Sequence, residues 1–145
     1  MGDGRFISWQ FCDDVRQEVG NKVSLMGCYG PSMLVTTMPI VLPRLCVQIK
    51  AYTPVGRSFT KLSVRVVRDE QVLVETVFPE ESLQQVNAVV CPPEARFYVL
   101  SAIMVVSPFP IEQPSRLTIE AETEDAILTS GSFWIDQIAQ PRSSQ

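Results

Sequence analysis

Residues 11–30, FCDDVRQEVGNKVSLMGCYG, bring together two adjacent aspartates, an arginine, a glutamate and two cysteines. Carboxylates in such a group suit a hard divalent cation, which takes oxygen ligands, or general acid–base work. Two thiols can join as a disulfide. The metal set on offer is Asp13 or Asp14 with Glu18, completed by Asp136 from elsewhere in the chain. Its spacing is not that of a calcium loop, which alternates its ligands around a glycine and closes on a glutamate.

What these residues can do depends on the element that positions them, and the pattern is that of a hairpin. Gly20-Asn21 is a turn signal between two strand-like runs. A two-residue turn there would set Arg16 against Leu25 and Glu18 against Val23. A three-residue loop, Val19-Gly20-Asn21, instead pairs Glu18 with Lys22, Val15 with Leu25 and Phe11 with Tyr29. Cross-strand pairs of opposite charge or of apolar side chains add roughly 0.2–1 kcal/mol each, so the second register is predicted. It places Cys12 opposite Cys28 as facing thiols. They are expected to be reduced, because a disulfide directly across two strands is strained and easily opened. Strand neighbours point to opposite faces, so Asp13 and Asp14 are not expected to converge on one ligand. An alternative is that Asp14-Val15-Arg16-Gln17, a D-x-x-Q capping box, starts a helical turn running to Val19. Either way the carboxylates are structural.

The same stretch resembles the N-terminal signature of a family of small bacterial proteins that also occur in phage and prophage settings. The signature has the form C-D-D-V-R-x-E-x-x-x-K-x-S-L-x-G. It is matched by Cys12, Asp13, Asp14, Val15, Arg16, Glu18, Lys22, Ser24, Leu25 and Gly27. Beyond this stretch the likeness extends only to an all-β character. The family carries no established activity, so the resemblance implies a bacterial or phage accessory protein and transfers no functional residue.

The totals narrow the chemistry further. The chain has no histidine, which excludes Ser-His-Asp, Cys-His and His-metal sites. An enzyme would have to work with carboxylates, lysine or tyrosine alone, and none is expected. The four cysteines, Cys12, Cys28, Cys46 and Cys91, include no C-x-x-C pair. They are read as free, half-buried thiols behaving as small hydrophobes. Twelve basic residues against sixteen acidic give a net charge of −4, with the basic ones scattered. Nucleic-acid binders present a basic stripe, so no nucleic-acid partner is expected. The first ten residues show neither a basic n-region nor an apolar h-region, and no run reaches membrane-span length. The reading is a soluble cytoplasmic protein, or one assembled into a virion if phage-encoded, with no membrane contact and no cofactor.

At 145 residues the chain is read as one domain over 1–138 with a mobile polar tail at 139–145. Such a length buries roughly 70% of the unfolded surface and needs no metal or disulfide to fold. Eleven prolines and seven glycines punctuate runs of period-two alternation. In "RLCVQIKAY", Leu45, Val47, Ile49 and Ala51 share one face. "KLSVRVVRDEQVLVETVF" reads as a hairpin turning near Asp69-Glu70-Gln71, with Leu62, Val64 and Val66 inward and Val72 and Val74 together on one face. "RLTIEAETEDAILTSGSFWI" buries Leu117, Ile119 and Ala121 and turns at Glu124-Asp125. "EESLQQVNAV" offers one short helix after Pro79. The expected fold is an all-β antiparallel sandwich, Ig-like or C2-like, of about eight strands with at most one short helix.

Two apolar segments stand out. "GPSMLVTTMPIVLP" has no charge between Lys22 and Arg44, and is either an edge strand with a crossover laid on the core or a docking surface. "RFYVLSAIMVV" is apolar on both faces. The pattern favours a central strand covered on both sides, with an interface strand as the alternative. Met33, Leu34, Val35, Met38, Ile40, Tyr98, Leu100 and Met104 are the interface candidates. Trp9 and Trp134 are read as core. The function expected is a structural or protein-interaction module, a phage virion or assembly component or a bacterial accessory protein, with a protein partner or self-association. The alternative is a sandwich that binds a small ligand or divalent metal through Asp13, Asp14, Asp69, Glu70, Glu124 and Asp125.

Overall fold

The computed structural model describes residues 4–87 and 92–138; Cys91 and the 139–145 tail lie outside the described residues. In chain order the elements are β1 (Phe6–Glu18), β2 (Lys22–Cys28), β3 (Ser32–Val35), β4 (Ile40–Leu42), β5 (Leu45–Pro54), β6 (Leu62–Arg68) and β7 (Gln71–Val77). Then follow α1 (Glu80–Asn87), β8 (Phe97–Val106), β9 (Phe109–Ile111), β10 (Ser115–Thr123), β11 (Ile127–Thr129) and β12 (Phe133–Gln137). The fold is an all-β sandwich. One sheet runs β2-β1-β5-β8, and the other runs β3-β12-β10-β6-β7 with β11 beside β10. Pairing is antiparallel except where β3 lies parallel to β12.

The core forms where the alternating faces of the two sheets meet. Ile7, Phe11, Val47, Ile49, Ala51, Leu100 and Met104 of the first sheet face Leu62, Val64, Val66, Leu117, Ile119, Phe133 and Ile135 of the second. Phe11 and Phe133 stack across the interface with ring centroids 4.4 Å apart. Such offset aromatic pairs add ~1 kcal/mol beyond the area they bury. The three long alternating runs therefore bury the faces expected of them. α1 follows Pro79, carries Glu80 and Glu81 in its first turn, and sets Leu83 into the core.

Among the described residues there are twelve strands, more than the eight expected: eight have five residues or more, and four have only three or four, too short for alternation to announce them. Two of the short strands come from the apolar 31–43 segment. β3 adds to the edge of the second sheet and β4 pairs with β9, so the segment is an edge strand and crossover. Asp69 and Glu70, with φ of +45° and +79°, make the β6–β7 turn, and Arg68 pairs with Gln71 across it. A bulge at Val66/Val67 then shifts the β7 register. It separates Val72, which is exposed, from Val74, which packs on the core, so the two do not share a face.

Two further expectations are corrected. Among the described residues β8 pairs only with β5, so it is an edge strand there and not a central one. Apolar residues on both faces make the two positions look alike in sequence. Trp134 is 54% exposed, because it sits on the outer face of β12, where Arg116 stacks over its ring at 5.6 Å.

Candidate interaction surface

The first hairpin adopts the three-residue loop. Glu18 pairs with Lys22, Val15 with Leu25 and Cys12 with Cys28, and Tyr29 N–H donates to Phe11 O at 2.9 Å. Gly20 and Asn21 both take positive φ, which is why this loop recruits those residue types. The helical-turn alternative at Asp14 is not adopted, since β1 is continuous to Glu18.

Asp13 and Asp14 do line one shallow cavity, with Tyr29, Leu42, Pro43 and Arg44. They reach different partners within it. Tyr29 O–H donates to Asp13 Oδ1, whereas Asp14 Oδ1 pairs with Arg44 Nη1 at 3.2 Å and accepts from Val15 N–H. Burial and the Asp13 hydrogen bond push the Tyr29 hydroxyl up, so it is a proton donor to Asp13 and no base. Glu18 pairs with Arg16 at 2.7 Å. Glu124 and Asp125 are held by Arg5 and Arg57 at 2.7 and 2.6 Å. Asp136 accepts from its neighbour Gln137 N–H. These carboxylates serve turns and ion pairs. Among the described residues, no group of three or more Cys, Asp or Glu side chains is placed to hold a metal ion.

The charged outer face of the second sheet contrasts with the part of the first sheet's outer face where β1, β5 and β8 lie side by side. Beyond it, the β1–β2 end of the first sheet carries Asp14, Arg16, Glu18 and Lys22. On the second sheet, Arg65 reaches Glu120, Glu122 and Glu75 at 2.8, 3.2 and 3.3 Å, and Lys61 pairs with Glu122. This is a solvated network that crosses β7, β6 and β10. On the first sheet, rows of directly opposed residues cross β1, β5 and β8: Phe6, Tyr52 and Val99; Ser8, Lys50 and Ser101; Gln10, Gln48 and Ile103; Cys12, Cys46 and Val105. Lys50 is the one charge in those rows. Phe6 stacks on Tyr52 at 4.4 Å and meets Phe97 edge-on at 5.4 Å, yet Phe6, Phe97 and Val99 stay 39–45% exposed.

This face ends at the edge of β8. The chain carries no charge between Arg96 and Glu112. Edge strands usually carry lysine, proline or a bulge that blocks a further strand, and these ten residues carry none of those devices.

The candidates chosen from sequence divide by side-chain direction. Met33, Val35, Leu100 and Met104 are buried in the core, and Met38 and Ile40 pack against it. Tyr98 is half-buried and Leu34 is exposed. The exposed apolar residues of β8 are instead Phe97 and Val99, which neighbour Phe6 and Tyr52 on the same face, and Val105, which lies opposite Cys46. The signal that would have found them is the odd parity of Val99 and Val105 against the even parity of Leu100 and Met104.

No helix among the described residues is long and apolar enough to cross a membrane. No family model matches the chain, and no curated protein matches it.

Proposed function

We propose that the chain is a non-enzymatic structural or protein-interaction module that docks through the outer face of the β2-β1-β5-β8 sheet and the edge of β8. One observation carries this reading. The ten-residue edge strand is free of charge and of edge-blocking residues, and it leaves Phe97 and Val99 part-exposed beside Phe6 and Val105 part-exposed opposite Cys46. A strand of this kind offers backbone hydrogen bonds for affinity and alternating side chains for selectivity, as in β-strand addition. The carboxylates considered for a ligand site serve ion pairs and turns, which favours docking over small-ligand binding. The resemblance of residues 12–27 to a bacterial and phage signature supports a partner of the kind found in a phage particle or a bacterial accessory assembly.

The test is the solution mass by light scattering, with and without reductant, followed by photo-crosslinking from position 99 in the native host. A discrete oligomer that persists in reductant, or a defined protein captured from position 99 and not from position 118 on the opposite face, supports the reading. A monomer that captures nothing above the position-118 control overturns it.

A further inference from the structure

No short stretch of sequence pairs the third thiol, Cys46, with another, yet the fold puts it in line with Cys12 and Cys28. Cys12 is directly opposite Cys28 on β2 and directly opposite Cys46 on β5. Directly opposed residues share a face, so Cys28, Cys12 and Cys46 form one row across three adjacent strands. Opposed Cα atoms in antiparallel pairs stand about 4.5–5.5 Å apart, inside the 4.4–6.8 Å window of a disulfide. All three are free thiols, and the row has a wet end and a dry end. Cys28 is exposed, whereas Cys12 and Cys46 are buried at 0% and 1% exposure.

We propose that this row is a thiol–disulfide relay, with Cys28 as its oxidation site and a small soluble disulfide, RSSR, as its oxidant. The Cys28 thiolate attacks one sulfur of RSSR. A Cys28–SR bond forms, the RS–SR bond breaks and one RS⁻ leaves. Cys12 attacks the Cys28 sulfur and closes Cys12–Cys28, its proton passing to the second RS group, which departs as RSH. Cys46 can then attack Cys12 in the same way, moving the bond inward to Cys12–Cys46 and returning Cys28 to the thiol state. In sum two protein thiols are oxidised and one RSSR is reduced to two RSH.

The order of attack follows from exposure and acidity. Only Cys28 meets solvent, and burial, with smaller contributions from Cys46 and Cys28, pushes the Cys12 thiol up to about 11. Burial raises Cys46 as well. Buried thiols of that kind are poor first nucleophiles, but a neighbour already carrying a mixed disulfide is held against Cys12 by the ladder. The relay is a property of the β2-β1-β5 register and does not depend on the docking role proposed above.

The experiment is oxidation of the full chain by oxidised glutathione, read by intact mass and by peptide mapping without reduction. Cleavage after lysine and arginine puts Cys12, Cys28 and Cys46 in the separate peptides 6–16, 23–44 and 45–50, and Cys91 in 69–96. The expected product has lost two hydrogens and joins peptide 6–16 to 23–44 or to 45–50. Cys28→Ser, at the exposed position, is expected to form any internal disulfide about tenfold more slowly. Cys46→Ser is expected to stop at Cys12–Cys28. Accumulation of a glutathione adduct on Cys28 with no internal bond overturns the relay. So does an internal disulfide that excludes Cys12, or one that Cys28→Ser forms at the wild-type rate.

Discussion

The Asp13 carboxylate lies over Gly27, its opposite number on β2: a β-carbon added at Gly27 would stand 2.9 Å from Asp13 Cγ and closer still to Oδ2. The flanking pairs Cys12–Cys28 and Asp14–Met26 fix this apposition, and the Tyr29 hydroxyl holds the carboxylate in place. Gly27 also has a φ of +67°, where a side chain is strained whatever the space around it. Two of the signature residues in this hairpin are therefore coupled by shape.

Gly27→Ala is expected to cost about 2–3 kcal/mol, since the left-handed backbone alone costs roughly 1–2 and the carboxylate must also shift. Asp13→Ala in the same chain should recover the steric share and leave the backbone share, giving a coupling of about 1 kcal/mol in a double-mutant cycle. Urea midpoints of the four proteins measure it. A cost below about 0.5 kcal/mol for Gly27→Ala would show that the strand relaxes freely.

Arg5, buried among Thr53, Ser58 and Glu124, ties the start of the chain to the β10–β11 turn. Burial by itself would raise the Glu124 carboxyl, but hydrogen bonds from Arg5 and from backbone N–H groups outweigh it and hold it below its usual 4.5. A carboxyl lowered in the folded state stabilises fully above its unfolded value and loses that stabilisation as pH falls through the folded value. Wild-type stability should therefore be level in this respect from pH 7 to about 5 and fall below 4.5. Glu124→Gln is expected to be ~2 kcal/mol less stable at pH 7 and to converge on wild type in acid. Thermal melts across that range decide it, and parallel curves for the two proteins would refute the assignment.

How much of this was legible depended on whether local pairing or tertiary position set the answer. The 11–30 register could be read because Glu18, Lys22, Val15 and Leu25 discriminate between two loop lengths without reference to the rest of the chain. The inward faces of β5, β6 and β10 could be read because their alternation is long. The edge position of β8 could not, since a strand apolar on both faces carries the same pattern whether a neighbour or solvent lies beside it. Cys46 joined the thiol row through the β1–β5 register, a long-range pairing that no short stretch encodes. Trp134 lies in a strand pattern, which suggests core, but its face is decided by which side of β12 meets the sandwich.

The β6–β7 turn places two non-glycine residues, Asp69 and Glu70, at positive φ. Asn-Gly is the pair best suited to a two-residue turn of that hand. Asp69→Asn with Glu70→Gly is expected to raise stability by about 0.5–1 kcal/mol, mostly by relieving Glu70. The added glycine freedom of the unfolded chain offsets part of the gain. A denaturation midpoint that falls instead would mean that the Glu70 side chain contributes more than its backbone costs.

The parity of β8 supplies a test in which stability and association should separate. Leu100 and Met104 point into the core, so Leu100→Ala and Met104→Ala are each expected to cost about 2–5 kcal/mol. Val99 and Val105 are 45% and 47% exposed on the opposite face. Lysine at either is expected to change stability by no more than about 0.5 kcal/mol, because a surface side chain loses little packing. Lysine on an edge strand nonetheless opposes the addition of another strand, so any oligomer or crosslinked complex formed through β8 should be lost in Val99→Lys and Val105→Lys. Light scattering and chemical denaturation on the same four variants give both readouts. Loss of association that only follows loss of stability would mean that the edge of β8 has no docking role of its own.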